Sequence, residues 1–471
     1  MSTVAVLTKS HDTEALVCKA LESMRLPQDR EFKVIVDGCA AVGFVGSIVS
    51  TGKELAMTRL ERGPQTVLIA TPALLRDTIF DEGRASKETI DTLNALSGSA
   101  TRQRGGWSLL GTIGGRLVGG RDIIGQRPLF WGRNDEFHVF ASSRKALWSL
   151  GIFTASCIPE GTILEFGMGR SRECRIGELT RPSPQPFEEK QTVAELLKLL
   201  YASVRAMTQG FKRVGILFSG GLDSSIVAAI ANSLGLETRL YTAAFEDSPD
   251  IASAEKAADL LGLGLEVEVV SFDEVEDVLR RTIWEMESPD SIQVCVGMAI
   301  EVAARTAVGE GESLLLSGCG ADELFGGYSK YLQGYRMFGE ERVGEMMFRA
   351  VRGLGSRDLL RDGAIGEANR VQLSAPFLDL ELVRFGLEIP VNLKFYGIDD
   401  GLRKRVLRRA AQVVGVPQEM VDRPKKAAQY SSKSLATVKK LAGREGLSLQ
   451  GYLESIFNEV FASYFKTSSR P

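Results

Sequence analysis

The stretch Val214-Gly-Ile-Leu-Phe-Ser-Gly-Gly-Leu-Asp-Ser-Ser225 sets an apolar run directly against a glycine-rich loop and then a helix-forming segment. Val214 to Phe218 reads as a buried strand. Gly220 and Gly221 let the backbone turn sharply and approach an anion. Ser219, Ser224 and Ser225 add hydroxyl donors. The helix start adds unpaired N–H groups and about half a positive charge. Asp223 would repel a bare phosphate unless a cation lay between them, so it is a candidate Mg²⁺ ligand. The GxxxxGK[ST] pattern is absent, which excludes a Walker A loop. An ordinary strand-to-helix turn with a serine cap would need only a fragment of this string.

Working outward, strands and helices alternate. Thr192 to Thr208, Ser224 to Leu234, Ser253 to Leu261 and Gly297 to Thr306 have helical spacing. Arg239 to Phe245, Leu265 to Val270 and Ser313 to Ser317 read as strands. Such alternation predicts a parallel sheet covered by helices. From Tyr328 onward the pattern is mainly helical.

A second loop repeats the logic. Ser313-Leu-Leu-Leu-Ser-Gly-Cys-Gly-Ala-Asp-Glu-Leu-Phe-Gly-Gly-Tyr328 again ends a buried strand in glycines, with Asp322 close behind. Parallel strands carry their ligand sites at the carboxyl end. Two such loops can face one crevice, where Asp223 and Asp322 share Mg²⁺ over a polyphosphate and Ser317 and Gly318 offer backbone. Taken alone, the second loop would be a capped helix start. Lys404-Arg-Val-Leu-Arg408 then sets Lys404 and Arg408 four residues apart on one helical face, and Arg423-Pro-Lys-Lys-Ala427 adds a basic loop around Lys425. Cations of this kind stabilise a multiply charged leaving group. Arg405 and Arg409 read as a solvated basic face. Glu287, Asp290 and Asp379 read equally as substrate-side carboxylates or as caps.

Leu179 to Lys190, with three prolines among polar residues, marks a linker. It predicts two domains, 1–183 and 184–471, as the length of 471 residues also suggests. Before the linker, Thr3 to Leu7, Lys33 to Val36, Thr66 to Ala70, Trp107 to Ile113, Arg116 to Gly119 and His138 to Ala141 read as strands. Thr13 to Ser23 and the region of Lys87 to Leu96 read as helices, which together give a strand-rich α+β domain. A net charge of −3 gives no nucleic-acid surface. No apolar stretch reaches the roughly 20 residues of a membrane span, and the start lacks a signal-peptide pattern. Six scattered cysteines and two histidines form no zinc pattern and fit a reducing cytoplasm.

SGGLDSS resembles the PP-loop of ATP pyrophosphatases. With SGCGADELFGGY, APFLDLELV, KRVLR and RPKKA in order between Leu179 and Ser432, the chain resembles the asparagine synthetase family. The resemblance implies an α/β PP-loop synthetase domain with a parallel sheet and a helical C-terminal part. It implies ATP and Mg²⁺ as cofactors and adenylation of a small-molecule carboxylate, with ammonia or another amine as acceptor. By resemblance Phe218, Ser219, Gly220, Gly221, Asp223, Ser224, Ala243, Ser317 and Gly318 bind ATP, and Asp223 and Asp322 hold Mg²⁺. Lys425, Lys404 and Arg408 are the implied catalytic cations. The strings Gly120 to Gly132 and Phe140 to Leu147 are similar to late strands of the family's glutaminase domain, an αββα sandwich of the N-terminal-nucleophile hydrolases.

Two departures qualify that resemblance. Glutamine-hydrolysing members begin Met-Cys-Gly-Ile, where the cysteine thiol attacks glutamine. This chain begins Met1-Ser2-Thr3-Val4, and Gln65 to Thr78 lacks the Asn-Gly-Glu-Ile-Tyr-Asn segment that helps hold glutamine. Glutaminase activity is therefore expected to be absent. Cys319 stands where asparagine synthetases have glutamate and β-lactam synthetases have tyrosine, which leaves the acyl substrate open. The expected reading is an aspartate-adenylating synthetase. The alternatives are a β-lactam-synthetase-like or other amide ligase, and a non-catalytic nucleotide-binding scaffold. No nucleic-acid or membrane partner is expected. A homodimer and a separate ammonia source both remain open.

Overall fold

Val4, Ala5, Val6 and Leu7 send successive side chains to opposite faces of one strand, and all four are essentially inaccessible. Val4 and Val6 pack with Val17, Ala20 and Leu21 of the helix Thr13–Glu22. Ala5 and Leu7 pack with Leu110, Leu117, Leu164 and Phe166. A strand buried on both faces needs a layer on each side, and that requirement organises the N-terminal region. The computed structural model describes residues 2–8, 12–27, 29, 31–37, 39–46, 57–59, 66–71, 106–113, 115–167, 170–183, 185, 187–246, 248, 250–397, 399–424 and 433–465. The chain forms two units: Met1–Glu178 with Asp358–Arg370 and Asn458–Pro471, and Leu179–Arg357 with Val371–Phe457.

In the first unit the strands are β1 (Ser2–Thr8), β2 (Glu31–Asp37), β3 (Ala40–Gly46), β4 (Met57–Arg59), β5 (Thr66–Thr71), β6 (Ser108–Ile113), β7 (Arg116–Arg121), β8 (Phe130–Arg133), β9 (Phe137–Ala141), β10 (Ser156–Cys157), β11 (Thr162–Gly167) and β12 (Arg170–Arg175). They form two six-stranded sheets, ordered β10-β8-β9-β1-β3-β2 and β12-β11-β7-β6-β5-β4. The first sheet carries the helices Thr13–Glu22 and Arg144–Ser149 on one face and meets the second sheet on the other. The helix expected near Lys87 to Leu96 lies outside the described residues. The unit is closed by two late returns of the chain. The helix Asp358–Ala368 brings Arg370, and Phe461 and Tyr464 stack edge-on against Trp148.

The second unit begins with the linker. Residues 179–183, 185, 187 and 188 carry no regular structure, and a helix runs Glu189–Met207. Its strands β13 (Arg213–Leu217), β14 (Glu237–Phe245), β15 (Leu265–Val270), β16 (Leu314–Leu316) and β17 (Gln372–Ser374) form one parallel sheet in the order β15-β14-β13-β16-β17. Leu314, Leu315 and Leu316 are fully buried, each contributing about 1.5–3 kcal/mol relative to exposure. The strand order reverses between β13 and β16, so the crevice at their carboxyl ends is the topological switch point. The helix Ser291–Gly309 is long and apolar enough to cross a membrane by composition alone. It carries the buried Glu301, paired with Arg281 at 3.2 Å, and Val294, Met298 and Val302 are fully buried within the unit.

Candidate active site

The phosphate loop follows β13 as its sequence requires. Phe218 is held by its N–H to the Tyr241 carbonyl (2.8 Å), and its carbonyl accepts from the Thr242 hydroxyl. Gly220 adopts φ +62°, and a Cβ there would lie 2.7 Å from the Ser253 carbonyl oxygen. The next helix, Leu222–Ser233, starts at once with Gly221 as N-cap, which offers no side chain to the first turn. Ser224 and Ser225 turn their hydroxyls back to the Gly221 carbonyl (3.3 and 2.7 Å). Ala243 lies on the C-terminal part of the neighbouring β14.

The loop after β16 meets this one. A Cβ on Gly318 would lie 2.7 Å from the Asp223 Cβ, so the two loops touch where only glycine fits. Ser317 is anchored by its N–H to the Ser374 carbonyl of β17 (3.0 Å), and its hydroxyl accepts from the Cys319 N–H (3.4 Å). Asp322 opens the short helix Ala321–Phe325.

Lys404 joins the two acids. Its Nζ lies 2.6 and 2.7 Å from the Asp223 carboxylate oxygens and 2.5 Å from Asp322 Oδ1. The side chain is 2% exposed. Lys404 is not inside a helix, as the i, i+4 spacing suggested, but is the N-cap of Arg405–Val413 with φ +56°. Arg403 before it also has a positive φ of 60°. Arg408 explains how this costly backbone persists. Its guanidinium donates to the carbonyls of Arg403 (2.7 Å), Leu402, Val421 and Arg423 (3.1 Å). Burial pushes Arg408 below its ordinary pKa, against the opposing pull of Asp223 and Asp400. Arg408 thus holds backbone in place instead of facing a ligand with its guanidinium. Arg405 pairs with Glu189 (2.7 Å), and Arg409 lies 3.8 Å from the same carboxylate.

Three contributors have roles that the motifs did not assign. Gly327 leaves the room that Asp322 and Lys404 occupy: a Cβ there would lie 1.7 Å from Asp322 Oδ1 and 2.4 Å from Lys404 Cε. The repeated Gly326-Gly327 was the available signal. Asp400 caps the N–H groups of Leu402 (2.8 Å) and Arg403 (2.9 Å). Arg423 donates to the Gly220 carbonyl (2.7 Å), fixing the chain two residues ahead of Lys425 to the phosphate loop. Lys425 itself lies outside the described residues. Asp290 and Asp379 cap helices through Gln293 N (2.9 Å) and Glu381 N (3.2 Å), and Glu287 ends a helix at φ +54°.

A parallel sheet whose switch point carries a glycine-rich loop, a helix N-terminus and paired carboxylates suits an α/β enzyme that handles a phosphate-bearing ligand. The family model for asparagine synthase matches residues 195–339 and 335–463. The chain is 32% identical to a putative glutamine-hydrolyzing asparagine synthetase of Methanocaldococcus jannaschii, across 73% of this chain and 72% of that one. It is 28% identical to the glutamine-hydrolyzing asparagine synthetase of Homo sapiens, across 68% of this chain and 62% of that one. A solved glutamine phosphoribosylpyrophosphate amidotransferase from B. subtilis is 12% identical, covers 57% of this chain and 65% of its own, and reaches a TM-score of only 0.32. This chain belongs to the asparagine synthetase family, ATP-dependent ligases that form carbon–nitrogen bonds.

Proposed function

We propose that the protein adenylates the side-chain carboxylate of aspartate and passes it to ammonia, giving asparagine, AMP and pyrophosphate. The carrying observation is the convergence of Asp223, Asp322 and Lys404 at the carboxyl ends of β13 and β16, beside the uncapped helix start at Gly221. The aspartate carboxylate attacks the α-phosphorus and pyrophosphate leaves. Ammonia then attacks the acyl carbon, AMP leaves, and the nitrogen sheds a proton. Ser219, Gly220, Gly221 and Ser224 bind phosphate oxygens, while Phe218, Ala243, Ser317 and Gly318 bound the nucleotide. Lys404 and Lys425 offset the charge that develops on the departing pyrophosphate.

Two hard-oxygen carboxylates converging on one point suit Mg²⁺, which takes one or two carboxylates and completes its shell from phosphates and water. Among the described residues no cluster of three or more His, Cys, Asp or Glu forms a metal site. When bound, Mg²⁺ would supply positive charge to the triphosphate.

Residues 1–183 we read as a degenerate N-terminal-nucleophile glutaminase domain that hydrolyses no glutamine. The paired antiparallel sheets support the fold. The Ser2 hydroxyl accepts from Arg370 Nη1 (2.9 Å), which is itself paired with Asp29, and that engagement supports a structural role for Ser2. Residues 72–78 of the altered glutamine segment lie outside the described residues. The free state of all six cysteines supports a reducing cytoplasm.

The test is AMP and pyrophosphate release from ATP and Mg²⁺ with aspartate plus ammonium, aspartate plus glutamine, or neither, alongside Lys425→Ala. AMP and asparagine with ammonium alone, lost in Lys425→Ala, is the expected result. Equal activity with glutamine would overturn the reading of the first domain, and no AMP under any condition would remove aspartate as substrate.

A further inference from the structure

Lys404 grips its two carboxylates in the way a metal ion would, and we propose that it makes metal loading conditional on nucleotide: free divalent cation binds Asp223 and Asp322 weakly, and the ion arrives with the triphosphate. The inference rests on the assignment of those two acids as the metal ligands under the proposed function.

The ammonium donates to Asp223 Oδ1 and Oδ2 and lies in an ion pair 2.5 Å from Asp322 Oδ1. The acids supply two negative charges and the lysine returns one, inside a pocket where the three side chains are 2%, 11% and 13% exposed. A dication approaching alone meets a cluster of net charge −1 with an ammonium already against the oxygens it needs. Poor solvent screening makes that repulsion count. Nor can the lysine easily leave. Its backbone sits at φ +56° after Arg403 at φ +60°, and Arg408 pins the carbonyls on both sides of the segment. Asp400 fixes the preceding N–H groups. The ion must therefore share the carboxylates with Lys404, and the negative charge that makes sharing favourable is the one a triphosphate brings.

The experiment is an electron-paramagnetic-resonance titration of Mn²⁺ without nucleotide, on wild type, Lys404→Met and Lys404→Arg. Removing the ammonium should tighten Mn²⁺ binding by about tenfold or more, the equivalent of one pK unit of charge interaction. Lys404→Arg should keep the weak binding. A non-hydrolysable ATP analogue should tighten Mn²⁺ binding strongly in wild type and much less in Lys404→Met. Equal or weaker Mn²⁺ binding by a folded Lys404→Met would overturn the proposal. So would retention of the gain in Lys404→Met/Asp322→Asn. If Lys404→Met does not fold, melting of wild type decides: a rise in Tm with Mn²⁺ alone as large as with Mn²⁺ plus analogue would sink it. None of these readouts needs turnover. A failure of AMP release with aspartate and a failure of this gate are therefore separate results.

Discussion

Arg370 in the first unit and Lys404 in the second are both buried cations paired with acids, and the two are built for different ends. In the first, Arg370 spends its fork on fixed partners: Nε to Asp29 Oδ1 (2.7 Å), Nη1 to Ser2 Oγ (2.9 Å) and the Glu367 carbonyl (2.8 Å), Nη2 to Asp29 Oδ2 and the Met24 carbonyl (3.1 Å). In the second, Lys404 is a compact charge set between two carboxylates beside a helix start that still has its dipole to offer. A planar guanidinium with every donor committed closes a structure, whereas an ammonium on shared oxygens can share them with a second cation. Placing a charge in a protein interior does not by itself make a site. What matters is whether its partners have capacity left for a ligand.

The largest effect should come from breaking the closed cluster. Arg370→Met leaves Asp29 buried and unpaired, at a cost of about 3–5 kcal/mol. Denaturant unfolding would show it as a lower midpoint; an unchanged midpoint would mean the cluster is not closed as described. Burial would raise the Asp29 pKa, but the hydrogen bonds from Arg370 and the Leu26 amide, with the Arg370 charge, hold it below the ordinary 3.8. The pair's contribution is therefore full above that value and is lost as pH falls through the lower folded pKa. The gap between wild type and Arg370→Met should narrow only in acid.

A smaller effect tests the open cluster. Gly327→Ala puts a methyl into the space of Asp322 and Lys404, an overpacking worth about 1–3 kcal/mol. AMP release should fall while a melt shows a folded protein; full activity would mean the Asp322–Lys404 contact is dispensable.

The smallest effect sharpens the comparison with a third buried cation that has no acid at all. Lys394 donates to the Gly386 carbonyl (2.7 Å), and burial pushes its pKa from 10.5 down to about 7. Between those values the unfolded chain binds the extra proton, so this lysine makes stability rise with pH from about 7 towards 10.5. Lys394→Met should flatten that slope. A slope that survives the substitution belongs to other groups.

The sequence made the second unit far more readable than the first, for physical reasons. β13 and β14 and the helices after them announce themselves because inner strands of a parallel sheet need apolar runs, and glycine loops punctuate them, whereas β15, at the sheet edge, shows as a short alternation of Leu, Val and Glu. β17, Gln372–Ser374, was hidden: three residues with no β-branched side chain carry no period. The helix Val275–Met286 also went unread, although its neighbours did not. In the first unit, β3 is rich in alanine and glycine, and β8 and β10 are too short to alternate. Asp223 and Asp322 were legible because each follows a glycine loop at a strand end. Their link through Lys404 was not, because it depends on two left-handed residues and on Arg408 holding carbonyls more than ten residues apart in the chain. The expected boundary at 183 falls a few residues past Glu178, and no local pattern signalled that Asp358–Arg370 and Asn458–Pro471 rejoin the first unit.

Those two returns set an order of assembly. A ribosome that has released the first 178 residues has made both sheets but neither Arg370 nor the aromatic pair that stacks on Trp148. Until residue 370 emerges, Asp29 has no counter-ion, and until Phe461 emerges the helix Arg144–Ser149 lacks its cover. The N-terminal unit is thus begun first and finished last. A chain cut before Phe461 leaves that unit without its aromatic cover.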